Sequence, residues 1–227
     1  MKKTCAVLAF LFAFLILFSG CAEKAGNSSA KIEGKNEDVE AEEPELDYVF
    51  IPGAVLSGKH YVEMEVQDYG TMIIEVDADA APISATNFLR LVSLGFYDGL
   101  TFHRIQSGFM AQGGDGSQSE MAKEATPIYG EFAANGYDNP ISHTRGTISM
   151  ARTNVFDSAT SQFFIMHKDW PGIDGNYAAF GHVIQGIEVV DAMCDAADPT
   201  APNHILQEKD RPVISHAKLL GTKNPLE

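Results

Sequence analysis

Phe102-His103-Arg104-Ile105 and, just beyond it, Phe109-Met110-Ala111-Gln112-Gly113-Gly114-Asp115 decide how this chain folds. Each run is short, rich in aromatic and branched residues and closed by glycine, which reads as a strand over Thr101–Gln106 and another over Phe109–Gln112. If both strands line one surface, the two-residue alternation of side chains aims Arg104 and the Phe109/Met110 region toward a shared groove.

Working outward, Val62, Met64 and Val66 alternate with Glu63, Glu65 and Gln67, and after Asp68-Tyr69-Gly70 a second alternation puts Met72, Ile74 and Val76 on one face. That predicts a hairpin with one wet side. A helix follows: Pro82 suits its first turn, Phe88, Leu91 and Val92 recur at helical spacing, and Gly95 is placed to stop it. Downstream strands are predicted at 146–151, 162–166, 179–184 and 212–220, with a second helix over 187–197. Eight strands and two helices without strand–helix alternation favour a mainly β fold, a closed eight-stranded antiparallel β-barrel with two capping α-helices. Phe102, Ile105, Ile148, Phe163 and Ile165 are read as core.

The rest of the chain bounds the functional classes. Of 227 residues, 45% are hydrophobic and 21% charged, which supports a full core. The formal net charge of −15, with no clustered basic run, argues against a nucleic-acid partner. Met1-Lys2-Lys3 precedes an apolar run of thirteen residues, Ala6 to Phe18, too short to span a hydrocarbon core that needs about 20. Residues 1–20 therefore read as a secretory signal. Ser19-Gly20-Cys21 resembles the lipobox of bacterial lipoproteins, in which the cysteine is lipidated and becomes the new N-terminus, although Phe18 stands beside Leu17 where a leucine is usual. Ordinary cleavage with Cys21 incidental and an uncleaved anchor are the other readings. With lipidation, the protein is exported and held on the outer face of the cell membrane.

Residues 21–56 read as the lipidated cysteine and an acidic flexible linker, and 57–227 as the folded domain. About 30 linker residues have an r.m.s. span of roughly 30 Å and reach about 100 Å when extended. Leu46–Ile51 is apolar enough to add a strand to the domain. Residues 22–50 carry a net charge of −6 and residues 51–227 about −11. With Cys5 in the signal and Cys21 acylated, only Cys194 remains in the domain; it reads as a small buried apolar residue, a nucleophile being the lesser alternative.

The ordered segments Asp98-Gly99-Leu100-Thr101, the two opening runs, Gly146-Thr147-Ile148-Ser149-Met150-Ala151-Arg152, Ser161-Gln162-Phe163-Phe164-Ile165 and Asp174-Gly175-Asn176-Tyr177-Ala178-Ala179-Phe180-Gly181 resemble the cyclophilin family of peptidyl-prolyl cis–trans isomerases. The resemblance covers about residues 57 to 223. It implies isomerisation of X–Pro bonds in proline-containing polypeptides, with Arg104 and Gln112 as the catalytic pair. It places Phe109, Met110 and Phe164 in a proline pocket, Ile173 on its wall, and the main chain at Ala151 and Arg152 along the peptide. Gln162 and Tyr177 flank the groove. Neither cofactor nor metal is implied, and a monomer is expected. The other reading of the same groove is a peptide-binding chaperone or assembly factor with little isomerase activity.

Gly172 stands where the best-known members carry tryptophan, with Trp170 two residues earlier, so cyclosporin binding is expected to be weak. Tyr177 replaces a histidine of those members and Arg152 an asparagine common in many. Other chemistry lacks support. The glycine-rich 112–117 segment has no Gly-Lys-Ser/Thr ending and reads as tight turns, the seven histidines have no metal-ligand spacing, and there is no Gly-x-Ser-x-Gly elbow. His103 reads as a structural hydrogen-bonding residue.

Overall fold

A computed structural model describes residues 50–227; the signal, Cys21 and most of the acidic linker lie outside the described residues. The first hairpin, β1 (Lys59–Val66) and β2 (Gly70–Asp77), pairs in register from Lys59↔Asp77 to Val66↔Gly70. The alternating residues Val62, Met64, Val66, Met72, Ile74 and Val76 are all buried, as the pattern predicts. The opposite face is drier than predicted. Tyr61 and Ile73 are buried there too, and the Tyr61 hydroxyl donates to Glu75 Oε2 at 3.1 Å.

Helix α1 (Pro82–Ser93) begins with proline, which has no N–H to satisfy. The remaining early donors are accounted for: Ile83 and Ser84 donate to the two oxygens of the buried Glu131 carboxylate at 2.9 and 2.7 Å, and Ala85 donates to the Ala81 carbonyl at 2.9 Å. The helix ends as predicted, with Gly95 in the left-handed region at φ +66° and its N–H on the Val92 carbonyl. Phe88, Leu89, Leu91 and Val92 point into the core.

The remaining elements are β3 (Phe102–Gln106), β4 (Met110–Gly113), β5 (Thr147–Met150), β6 (Phe163–Met166), β7 (Ala179–Gln185), α2 (Glu188–Ala196) and β8 (Ile214–Gly221). They form one antiparallel sheet in the order β3-β4-β6-β5-β7-β2-β1-β8. The sheet curls around a core in which Phe88, Tyr97, Phe163 and Phe180 pack ring against ring, and helices α1 and α2 pack on it. Phe102, Ile105, Ile148, Phe163 and Ile165 are all core residues.

The closed barrel is corrected: the sheet is an open half-barrel. Its edge strands β3 and β8 form no ladder with each other, only an isolated bridge, Thr101↔Val213. The flanking bonds, Gly99 and Phe102 N–H to the Ile214 and Pro212 carbonyls and Ile214 N–H to that of Leu100, reach no further than the first residue of β3. Alternation reports which side of a strand is buried, and says nothing about whether the last strand meets the first. Of the extra strand expected over Leu46–Ile51, residues 46–49 lie outside the described residues. Residues 50–56 form no strand; instead Phe50 and Leu56 pack against the core, and the Leu56 N–H donates to Thr86 Oγ1 at 2.8 Å. The glycine-rich segment is more than turns. Gly114 does take a positive φ of +77°, but a Cβ on Gly116 would stand 2.3 Å from the Phe96 ring, so that glycine is required by packing.

Candidate active site

The sheet has a second apolar cluster on its outer face. Strands β4 and β6 pair with Met110↔Met166 and Gln112↔Phe164. Their alternation sends Ala111, Phe163 and Ile165 into the core and leaves Met110, Phe164 and Met166 outside it, where Phe109, Ala151, Ile173 and Tyr177 pack around them. On the neighbouring strand Arg104 pairs with Gln112 and Gln106 with Met110. A register shift between Phe102 and Arg104 lets the arginine leave the core face while Ile105 stays inside.

The result is a groove of about 230 Å³ lined by Arg104, Phe109, Met110, Gln112, Ala151, Arg152, Phe164, Ile173 and Tyr177. Every substrate or catalytic candidate named from sequence in the domain lines it except Gln162, which accepts a hydrogen bond from Gln112 Nε2 at 2.9 Å. Cys21 lies outside the described residues. A larger hollow of about 770 Å³ beside Asp68 and Arg211 contains none of these residues.

Arg104 is held only by neutral acceptors. Its Nε donates to the Asn203 carbonyl at 3.2 Å, Nη1 to Gln112 Oε1 at 3.4 Å, and Nη2 to Gln106 Oε1 at 3.5 Å; Met110 Sδ lies 3.9 Å from Nη1. It forms no ion pair with any described carboxylate, so a full positive charge borders the apolar cluster. Gln162, Gln112 and Arg104 form a chain of hydrogen bonds that fixes the direction of the guanidinium.

The floor is braced from behind by two residues that sequence reasoning did not single out. His143 is buried and stacks on Phe164, with ring centroids 5.9 Å apart and planes 17° apart. Its Nδ1 meets Asp174 Oδ1 at 2.8 Å and its Nε2 meets Ser149 Oγ at 3.1 Å. Burial holds the imidazole below its ordinary 6.5 despite the facing carboxylate, so it is neutral at pH 7. For Asp174 burial acts upward, but hydrogen bonds from Ser142 and His143 outweigh it and hold the carboxyl below its ordinary range. Tyr177 meets Phe164 edge-on at 5.4 Å. Asn203, whose carbonyl receives Arg104, was also missed: it sits in the left-handed region at φ +56°, and nothing in its local sequence marks it.

His103 is half-buried; its Nδ1 has no hydrogen-bond partner, while its ring is hydrogen-bonded to the Thr101 backbone. Trp170 is half exposed and lies against Phe109 with centroids 5.2 Å apart, while Gly172 leaves the position before Ile173 without a side chain. Cys194 is buried, as expected, and burial raises its thiol to about 12. Among the described residues no cluster of His, Cys, Asp or Glu could hold a metal.

The family described as cyclophilin type peptidyl-prolyl cis-trans isomerase/CLD matches residues 61–216. The peptidyl-prolyl cis-trans isomerase A of Dickeya dadantii is 46% identical over 129 residues, covering 54% of this chain and 65% of the relative. A peptidyl-prolyl cis-trans isomerase of Acinetobacter baylyi is 45% identical over 150 residues, covering 63% and 76%. A crystal structure of a Cryptosporidium parvum cyclophilin type peptidyl-prolyl cis-trans isomerase superposes with TM-score 0.61 at 26% identity, covering 74% of this chain and 99% of that one. A structure of the same protein in the presence of the dipeptide Ala-Pro gives TM-score 0.58 at 26% identity, covering 69% and 96%. With a matched segment that carries both the curled sheet and the groove on its outer face, the chain belongs to the cyclophilin-type peptidyl-prolyl cis-trans isomerase family.

Proposed function

We propose that this groove accelerates rotation about X–Pro bonds without covalent chemistry, with Arg104 as its electrostatic element. Amide resonance sets a barrier near 20 kcal/mol. At the twisted transition state the prolyl nitrogen becomes pyramidal and regains its lone pair, so a fixed cationic donor there stabilises the transition state more than the planar ground state. The observation that carries this reading is the unneutralised Arg104 guanidinium at the border of the apolar cluster, held by neutral acceptors. Its charge is available to a ligand because no described carboxylate consumes it.

In this reading the proline ring seats on Phe109, Met110 and Phe164 with Ile173 as a wall. Gln112 faces the substrate backbone as well as Arg104, and Gln162 orients Gln112. Ala151 and Arg152 supply the extended edge along which the peptide lies. The Ala-Pro dipeptide present with the related structure supports proline-containing polypeptides as the substrate class. A chymotrypsin-coupled assay on an X-Pro peptide tests the reading: faster cis–trans conversion than the uncatalysed rate is expected, and an unchanged rate refutes it. Cis–trans exchange by NMR separates this from simple peptide binding, which shifts resonances without speeding exchange.

The N-terminal sequence extends the proposal to location. Cleavage before Cys21 and acylation of its sulfur would place the domain outside the cytoplasm on an acidic tether, facing exported chains as they fold. Mass spectrometry of the mature N-terminus tests this; an unmodified Cys21 still preceded by the signal refutes it.

A further inference from the structure

We propose that Arg152 makes this groove selective for prolyl peptides that carry a carboxylate side chain within two residues of the proline. The proposal rests on the isomerase reading and names the substrate class of the same site. Arg152 lines the groove together with Arg104. Its guanidinium lies 4.8 Å from the centroid of Tyr177, 4.9 Å from Phe132 and 5.1 Å from Phe156. Nε and Nη2 donate to the Asn176 carbonyl at 3.0 and 2.7 Å, and Nη1 donates to the Thr153 carbonyl at 2.9 Å. The side chain is thus fixed before any ligand arrives, which removes the ordering cost that a free surface arginine would meet on binding.

All of these partners are neutral. Arg90 and Arg145, by contrast, pair with Glu124 and Asp191. Two carboxylates that flank groove residues in sequence are engaged elsewhere: Asp174 accepts from Ser142 and His143, and Asp157 from the Gly130 N–H and the Asn135 amide. No carboxylate lines the groove. Two unneutralised guanidinium groups therefore sit in one groove of a segment whose net charge is −11. Of the five N–H donors on Arg152, three are used by the carbonyls, leaving donors as well as charge for an incoming anion. The overall negative charge opposes an acidic peptide at long range, so a preference for one can arise only from the groove.

The test is cis–trans exchange NMR with the full-length protein in detergent, on peptides that differ only in having Glu, Gln or Lys at each position within two residues of the proline. At the responsive position, kcat/KM for Glu is expected to exceed that for Gln by about twofold to fivefold, the size of a partly exposed charge pair, with Lys lowest. Arg152→Lys should keep that order, and Arg152→Gln should bring the Glu/Gln ratio to about one, whatever happens to the absolute rate. A wild-type ratio of one or below at every position overturns the proposal, as does a ratio that survives in a folded Arg152→Gln. Should Arg152→Gln fail to fold, the wild-type and Arg152→Lys orders decide. If no peptide is isomerised the activity reading fails, and the order of affinities from chemical-shift titration still decides the charge preference, equal affinities overturning it.

Discussion

Replacing Glu131 should loosen the fold from a distance. The carboxylate is fully buried and accepts from Ile83 and Ser84, the two donors in the first turn of α1 that have no other partner, since Pro82 has no N–H and Ala85 is bonded to Ala81. Glu131→Ala leaves both N–H groups buried without an acceptor. Two hydrogen bonds to a charged group, at about 1.5 kcal/mol each, give a loss of about 3 kcal/mol, in addition to a favourable helix-dipole contribution. For a domain of this size that corresponds to a fall in Tm of about 6–12 °C. Glu131→Gln should do nearly as much harm, because its amide can offer an oxygen to only one donor and turns an NH₂ toward the other. Denaturant unfolding of the wild type and both variants measures this, with the isomerase rate at low temperature as a control that the folded fraction is unaffected at the groove. A loss below about 1 kcal/mol for Glu131→Ala would refute the account, since the two N–H groups would then have found water or another acceptor.

Three further outcomes follow from the same structure. Phe164→Ala removes the groove floor and the ring on which His143 stacks; it should cost about 3 kcal/mol of stability and raise the peptide KM about tenfold or more, read by thermal melting and exchange NMR, and an unchanged KM would place the proline elsewhere. His103, His143, His167 and His182 are all held below 6.5, chiefly by burial, so the unfolded chain takes up more protons than the folded one as the medium is acidified. Stability should be full above pH 6.5 and decline below it toward the folded-state values, before the lowered Asp174 and Asp191 begin to titrate; unfolding curves at pH 7.5 and 5.5 in the opposite order would contradict this. Cys194, buried and with its thiol raised to about 12, should resist a thiol reagent at pH 8 until the protein is denatured, as read by mass spectrometry of its peptide.

What the sequence made legible was local. Val62, Met64 and Val66 show their burial because a strand repeats every two residues, and Gly95 marks a helix end because only glycine takes that backbone conformation freely. Phe163 and Phe164 show where such reasoning stops. Both are buried aromatics on β6, one in the core and one on the groove floor, and composition alone cannot assign them; family resemblance did. The features that were not legible join distant parts of the chain. Glu131 accepts from the Ile83 N–H 48 residues earlier, at the start of α1, and the Asn203 carbonyl reaches Arg104 across 99 residues. The same holds for the opening between β3 and β8, a property of sheet curvature that no strand records by itself.

The central claim is that a fixed positive donor at Arg104 lowers the rotational barrier. The most direct test compares kcat/KM for an X-Pro peptide in wild type, Arg104→Lys and Arg104→Ala, with peptide affinity measured in parallel by NMR titration. The account predicts a loss of about 100-fold or more for Arg104→Ala, the size of removing one preorganised donor, while affinity changes far less. It predicts only partial recovery in Arg104→Lys, whose ammonium lacks the fork that spans Asn203, Gln112 and Gln106. An Arg104→Ala enzyme within about threefold of wild type would contradict it.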